Sequence, residues 1–148
     1  MTPSINPVTE AKELLRQRRS EDALAVIEPA ATAAGASHSE QHVYASVLKK
    51  LGRIDDAIEV RRRAVRDFPA SAVAEHNLAA DLGDVESWEE SEAACRRAFE
   101  KGGAEPETWQ VFGRALMNQK RLDEAEARCV KRSRAGRPLA TPTATWPS

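Results

Sequence analysis

The stretch HSEQHVYASVLKKLGRIDDAIEVRRRAVRDFPAS, residues 38–71, reads as two helices and two stops. His38 to Leu51 carries Tyr44 and Leu48 four residues apart, the spacing that puts two large side chains on one helical stripe. Gly52 then supplies the left-handed conformation that closes a helix at least steric cost. Asp55 offers a carboxylate to the free amides of the next helix, and Pro69 stops that helix.

Outward from this stretch the pattern recurs every 34 residues. Leu14, Leu48, Leu82 and Leu116 form one column, and Ala11, Ala45, Ala79 and Gly113 form another three residues earlier. A third column holds Ala23, Ala57, Ser91 and Ala125, and a fourth holds Ala30, Ala64, Ala98 and, as its one exception, Arg132. The period runs without insertion from Ser4 to Arg137 and defines units 4–37, 38–71, 72–105 and 106–137. Each unit divides into two helices, so the expected fold is all-α with eight helices. No stretch shows the alternation and β-branched enrichment of a strand, so no sheet is expected. Gly35 ends the first unit, Gly102 and Gly103 end the third, and Pro106 is placed to open the helix carrying Trp109.

The small columns explain how the helices pair. Ala11, Ala45, Ala79 and Gly113 on the first helices are expected to face Ala23, Ala57, Ser91 and Ala125 on the second, where short side chains let the axes approach. Tyr44, Leu78 and Phe112, four residues before the leucines, fill the flank of the same stripe. A single pair cannot bury that stripe, and stacked units can.

These features resemble the tetratricopeptide repeat (TPR) family, whose 34-residue unit carries W-x2-L-G-x2-Y followed by Ala and Pro. Trp109, Phe112, Gly113, Leu116 and Ala125 fall in register with that pattern, and Ala57, Ala64 and Pro69 supply its ending in the second unit. The resemblance implies a right-handed α-solenoid whose first helices line a concave groove. Departures carry their own expectations. Pro7 and Glu10 stand where large residues are usual and put the first helix in question. Gly83 predicts an irregular turn in the third unit, covered by Trp88. Arg132 at a small position marks the end of the array, and the Pro, Ala and Thr-rich tail 138–148 is expected to be disordered.

The 22 Lys and Arg nearly cancel the 23 Asp and Glu, leaving a formal net charge of -1, which removes the overall footprint of a nucleic-acid binder. The N-terminus lacks the regions of a secretory signal and no run is long enough to span a bilayer, so no membrane partner is expected and the cytoplasm is the expected location. No glycine-rich phosphate loop, Gly-x-Ser-x-Gly elbow or His-Glu-x-x-His pair is present, and catalysis finds no support. No cofactor is expected.

By the resemblance, the exposed face of the first helices includes Lys12, His42, Ser46, Lys49, His76, Asn77, Gln110, Arg114 and Asn118. That surface would be polar and mildly basic, suited to a peptide carrying acidic groups. The Lys and Asn clamp by which some TPR co-chaperones hold a heat-shock C-terminus is not reproduced, since Asn77 alone matches it. His42 and His76 occupy equivalent positions and, if close, would share protonation near pH 6. Without a third ligand they make no metal site. Cys95 and Cys129 share one column and are expected as buried free thiols. The runs Arg61, Arg62, Arg63, Arg66 and Lys131, Arg132, Arg134, Arg137 are interleaved with acidic residues and read as solvated outer faces.

The expected function is a non-catalytic scaffold that binds a peptide segment of a partner protein in the groove. Two alternatives differ in class: an N-terminal TPR segment of a larger bacterial enzyme of sulfotransferase or oxygenase type, and a module that self-associates through its last helix pair.

Overall fold

The computed structural model describes residues 6–134, with the side chains of that span apart from those at 125 and 128–134. Among the described residues are seven α-helices and no strand. They are α1 (Pro7–Arg16), α2 (Ser20–Thr32), α3 (His38–Lys50), α4 (Ile54–Asp67), α5 (Ala72–Asp84), α6 (Trp88–Glu100) and α7 (Pro106–Arg134). The tail 138–148 and the cluster's Arg137 lie outside the described residues.

The 34-residue period is written into the backbone. Arg18, Gly52 and Glu86, each one period apart, adopt φ values of 60°, 78° and 61°. At each turn the next amide donates to the carbonyl of the leucine column: Arg19 to Leu14 at 2.8 Å, Arg53 to Leu48 at 2.8 Å and Ser87 to Leu82 at 2.9 Å. These are the long hydrogen bonds of a Schellman closure, and they tie each first helix to the start of its second. The turn of the third unit is therefore regular, contrary to the expectation from Gly83. Gly83 lies inside α5, and its missing side chain admits Arg114: a Cβ there would lie 2.5 Å from Arg114 Nη2.

The small columns face one another as expected in the first three units. Ala11, Ala23, Ala45, Ala57, Ala79 and Ser91 are all fully buried, and the Ser91 hydroxyl donates to the Ala79 carbonyl at 2.8 Å. The first helices form one layer and the second helices another. Within the first layer α1 touches α3 and α5 touches α7, while ion pairs join α3 to α5. Across the second layer Arg63 of α4 donates to the Ala31 and Ala33 carbonyls at the end of α2, and Arg62 pairs with Glu90 of α6.

A polar contact within the units also repeats, with its acid moved to the other helix. In the second unit buried Gln41 donates to Asp67 at 2.8 Å, and Arg63 donates to the same carboxylate at 3.2 Å. One period later buried Glu75 accepts from Arg97 at 3.0 Å and from Lys101 at 2.7 Å. The acid sits on the second helix in one unit and on the first helix in the next, while Arg63 and Arg97 hold the same place in both.

Three further expectations change. The first helix forms despite Pro7, because Pro7 occupies the first turn, where no amide partner is needed, and the Asn6 side chain accepts from the Val8 amide at 2.9 Å. The residue before α4 is Arg53, with no side-chain cap, and its guanidinium pairs with Asp56 of the first turn at 2.9 Å. The fourth unit is a single helix. Lys120 stands where Arg18, Gly52 and Glu86 turn the chain, yet α7 continues through it, which makes seven helices among the described residues where eight were expected. A left-handed turn costs a side-chain-bearing residue roughly 1–2 kcal/mol. In the first and third units the second helix also packs on the next unit's first helix, α2 on α3 and α6 on α7, which offsets that cost. Among the described residues no further helix packs on the second half of α7.

Candidate functional site

The middle of the first-helix layer is polar, and its centre is Asp81 of α5. This carboxylate is almost fully buried and accepts from Lys49 Nζ of α3 at 2.8 Å and from Arg61 Nε of α4 at 2.9 Å. Lys49 also donates to Asp84 at 3.2 Å, and Arg114 of α7 lies 3.7 Å from the other side of Asp84. Arg61 continues to His42, whose Nδ1 it meets at 2.8 Å, and Asn77 Nδ2 approaches the same nitrogen at 3.3 Å. The Arg114 guanidinium lies 5.8 Å from the centre of the Trp88 ring. Residues from α3, α4, α5 and α7 are thus joined in one network.

The location of Arg61 is the main correction to the sequence reading, which placed it on a solvated outer face. Its side chain is 7 % exposed. One period earlier stands Ile27 and one period later Cys95, both fully buried. Asp81 likewise follows Val47 and precedes Ala115, both fully buried. Ile27 and Val47 share one apolar core cluster, so at the next junction the Arg61 and Asp81 ion pair takes the place of an apolar contact.

Electrostatics follow from this geometry. Burial, the Arg61 guanidinium, His38 and Lys12 hold the His42 imidazole well below its ordinary range, at about 4, with Asp81 opposing them. Since both neighbours at Nδ1 are donors, the neutral ring accepts there, and protonation would set an N–H against a guanidinium. Burial by itself would lower Lys49, and the Asp81 and Asp84 carboxylates outweigh it and raise the ammonium.

Of the expected groove residues, His42, Lys49, Asn77 and Arg114 meet in the network. The others do not join it. His76 Nδ1 shares a 2.9 Å hydrogen bond with buried Thr108, so the two histidines have separate partners, and His42 does not titrate near pH 6. Ser46 and Asn118 bond carbonyls of their own helices, His42 and Arg114 respectively. Lys12 and Gln110 are exposed. Gln110, Arg114 and Asn118 line a shallow hollow of about 350 Å³ with Trp109 and Met117. The expected mildly basic surface is largely neutralised, because Asp81 and Asp84 sit among its cations.

Cys95 is buried, free and, chiefly through burial, pushed up to about 11. The side chain of Cys129 lies outside those described. Trp109 stacks on Phe99 with ring centres 4.2 Å apart and leaves half its surface exposed. No group of three His, Cys, Asp or Glu able to hold a metal ion occurs among the described residues. No helix among them is long and apolar enough to cross a membrane. Comparison with protein-family models and with curated proteins finds no match to the chain.

Proposed function

We propose that the chain is a TPR-like, right-handed solenoid whose first helices bind an extended segment of a partner protein in a concave groove, without catalysis. The observation that supports this reading is the network in which His42, Lys49, Asn77 and Arg114, from three successive first helices, are joined through Arg61, Asp81 and Asp84. A groove held by side chains that already bond one another loses little conformational freedom on binding, which favours recognition of a flexible ligand.

The ligand chemistry follows from what remains available. Arg114 is 46 % exposed and only loosely paired, so it can receive a carboxylate. The adjacent hollow beside Trp109 and Met117 accepts an apolar side chain, with Gln110 and Asn118 at its edge for backbone groups. The preferred segment therefore carries an acidic residue close to an apolar one. Lys49 serves as an internal strut here, because its charge is already shared between two aspartates.

The test is selection of peptides from a random displayed library on the folded chain, followed by calorimetry with the enriched sequence. Arg114→Ala is expected to weaken binding roughly tenfold or more, as loss of a charge-assisted contact implies, and Gln110→Ala about two- to tenfold, as loss of a neutral hydrogen bond implies. Enrichment of no sequence, or binding that both variants leave unchanged, overturns the groove assignment.

A further inference from the structure

Gly83 is the one small residue in its column, after Leu15 and Lys49 and before Met117, and Arg114 rests on it. A Cβ at position 83 would lie 2.5 Å from Arg114 Nη2, 3.4 Å from its Cζ and 3.6 Å from its Nε, so the guanidinium occupies the space that a side chain here would fill. The Trp88 ring stands against the same group, and Asp84 lies 3.7 Å from Nη2. One period earlier the seats of Gly83 and Arg114 hold Lys49 and Ala80, so the long side chain there comes from the earlier helix. Lys49 reaches forward to Asp84 and Arg114 reaches back to it. The exchange of long for short at Gly83 is what lets the second cation lie in that direction.

The charges that meet on α5 do not balance. Lys49, Arg61 and Arg114 are three cations, and the carboxylates that join them are two, Asp81 and Asp84. The separations show where the surplus resides. Asp81 is held at 2.8 and 2.9 Å and Lys49 holds Asp84 at 3.2 Å, whereas Arg114 stands 3.7 Å from Asp84 and is 46 % exposed. A charge-assisted bond from a guanidinium closes to about 2.7–2.9 Å, and none of the described carboxylates comes that near to Arg114. We propose that the network is one carboxylate short, that an Asp or Glu side chain of the bound segment supplies it at Arg114, and that Gly83 is the positioning residue for that seat. This rests on the groove reading above and adds to it the ligand group and its place. Resting on Gly83 and against the Trp88 ring, the guanidinium keeps one orientation, so little freedom is lost when the carboxylate binds.

Two measurements on the full chain test this. In the free protein the Arg114 Nε–Hε resonance senses the Trp88 ring, and Gly83→Ala is expected to move it toward the position of solvent-exposed arginines. The substitution sets a methyl group against the end of a flexible side chain and favours helix, so the melting midpoint should not fall. The second measurement is calorimetry with a display-enriched peptide and with the same peptide carrying Gln or Asn at its acidic position. The parent is expected to prefer the carboxylate form about tenfold, and Gly83→Ala and Arg114→Ala each to abolish that preference, with no further loss in the double variant. A purely structural role for Gly83 would weaken both peptides alike. That result overturns the proposal, as does an Arg114 resonance indifferent to Gly83→Ala or a parent that does not distinguish the two peptides. Each of these leaves the groove reading standing, whereas enrichment of no peptide overturns that reading and this proposal with it.

Discussion

The Arg61 and Asp81 pair gives a sharp test of the repeat register, because the first junction shows what the same seats hold without charge. There Ile27 and Val47, fully buried, meet in an apolar cluster. Asp81→Val would leave the Arg61 guanidinium buried, with His42 Nδ1 as its remaining partner, and is expected to cost about 3–5 kcal/mol. Arg61→Ile leaves Asp81 its bond from Lys49 and should cost less, about 2–3 kcal/mol. The double variant Arg61→Ile, Asp81→Val restores the composition of the first junction. Replacing a buried ion pair by packed apolar residues is commonly neutral or stabilising by roughly 1–4 kcal/mol. The double variant should therefore match or exceed the parent and depart from additivity by more than about 3 kcal/mol. Urea and thermal unfolding followed by helical circular dichroism measure this. Asp81→Val should lower the melting midpoint on the order of 10 °C. A double variant as unstable as the sum of its singles would refute the equivalence of these seats.

Three further outcomes follow. The imidazole of His42 binds a proton more readily unfolded than folded, so its contribution to stability is present above about pH 6.5 and is lost as pH falls toward 4. That gap sets a ceiling of roughly 3 kcal/mol, brought to about 1–2 kcal/mol by the ring's partial exposure, and the acid limb of a stability profile should flatten in His42→Gln. In a Cys129→Ser chain the remaining thiol, Cys95, should resist a thiol reagent at neutral pH and react fully in denaturant, since burial both hides it and suppresses its thiolate. Gly52→Ala should destabilise by about 1 kcal/mol from its φ of 78° alone, because the space around it is open, whereas Glu86→Gly should be neutral or stabilising.

The elements were legible because small residues at contact points are dictated by sterics. Ala11 with Ala23, Ala45 with Ala57 and Ala79 with Ser91 cannot enlarge without separating their helices, and the columns record that limit. Pro106 and Gly52 acted where local backbone chemistry places them. Arg61 was misplaced because charge was read as exposure. A signal was available: it follows Ile27 and precedes Cys95 in a core column, and Asp81 interrupts another core column with the opposite sign. Of the nine residues expected on the groove, His42, Lys49, Asn77 and Arg114 meet in one network, while the two aspartates within it were missed, since their role depends on a neighbouring unit and not on their own helix. That the helix runs on through Lys120 was not legible from residue type, because Arg18 and Glu86 turn the chain without glycine.

The claim that the first-helix layer receives a peptide is tested most directly by amide resonance mapping of the folded chain during titration with the selected peptide. The account predicts shifts concentrated at residues of α3, α5 and the first half of α7, with the largest around Asn77, Gln110 and Arg114. Shifts confined to α2, α4 and α6, or none at saturating peptide, would contradict it.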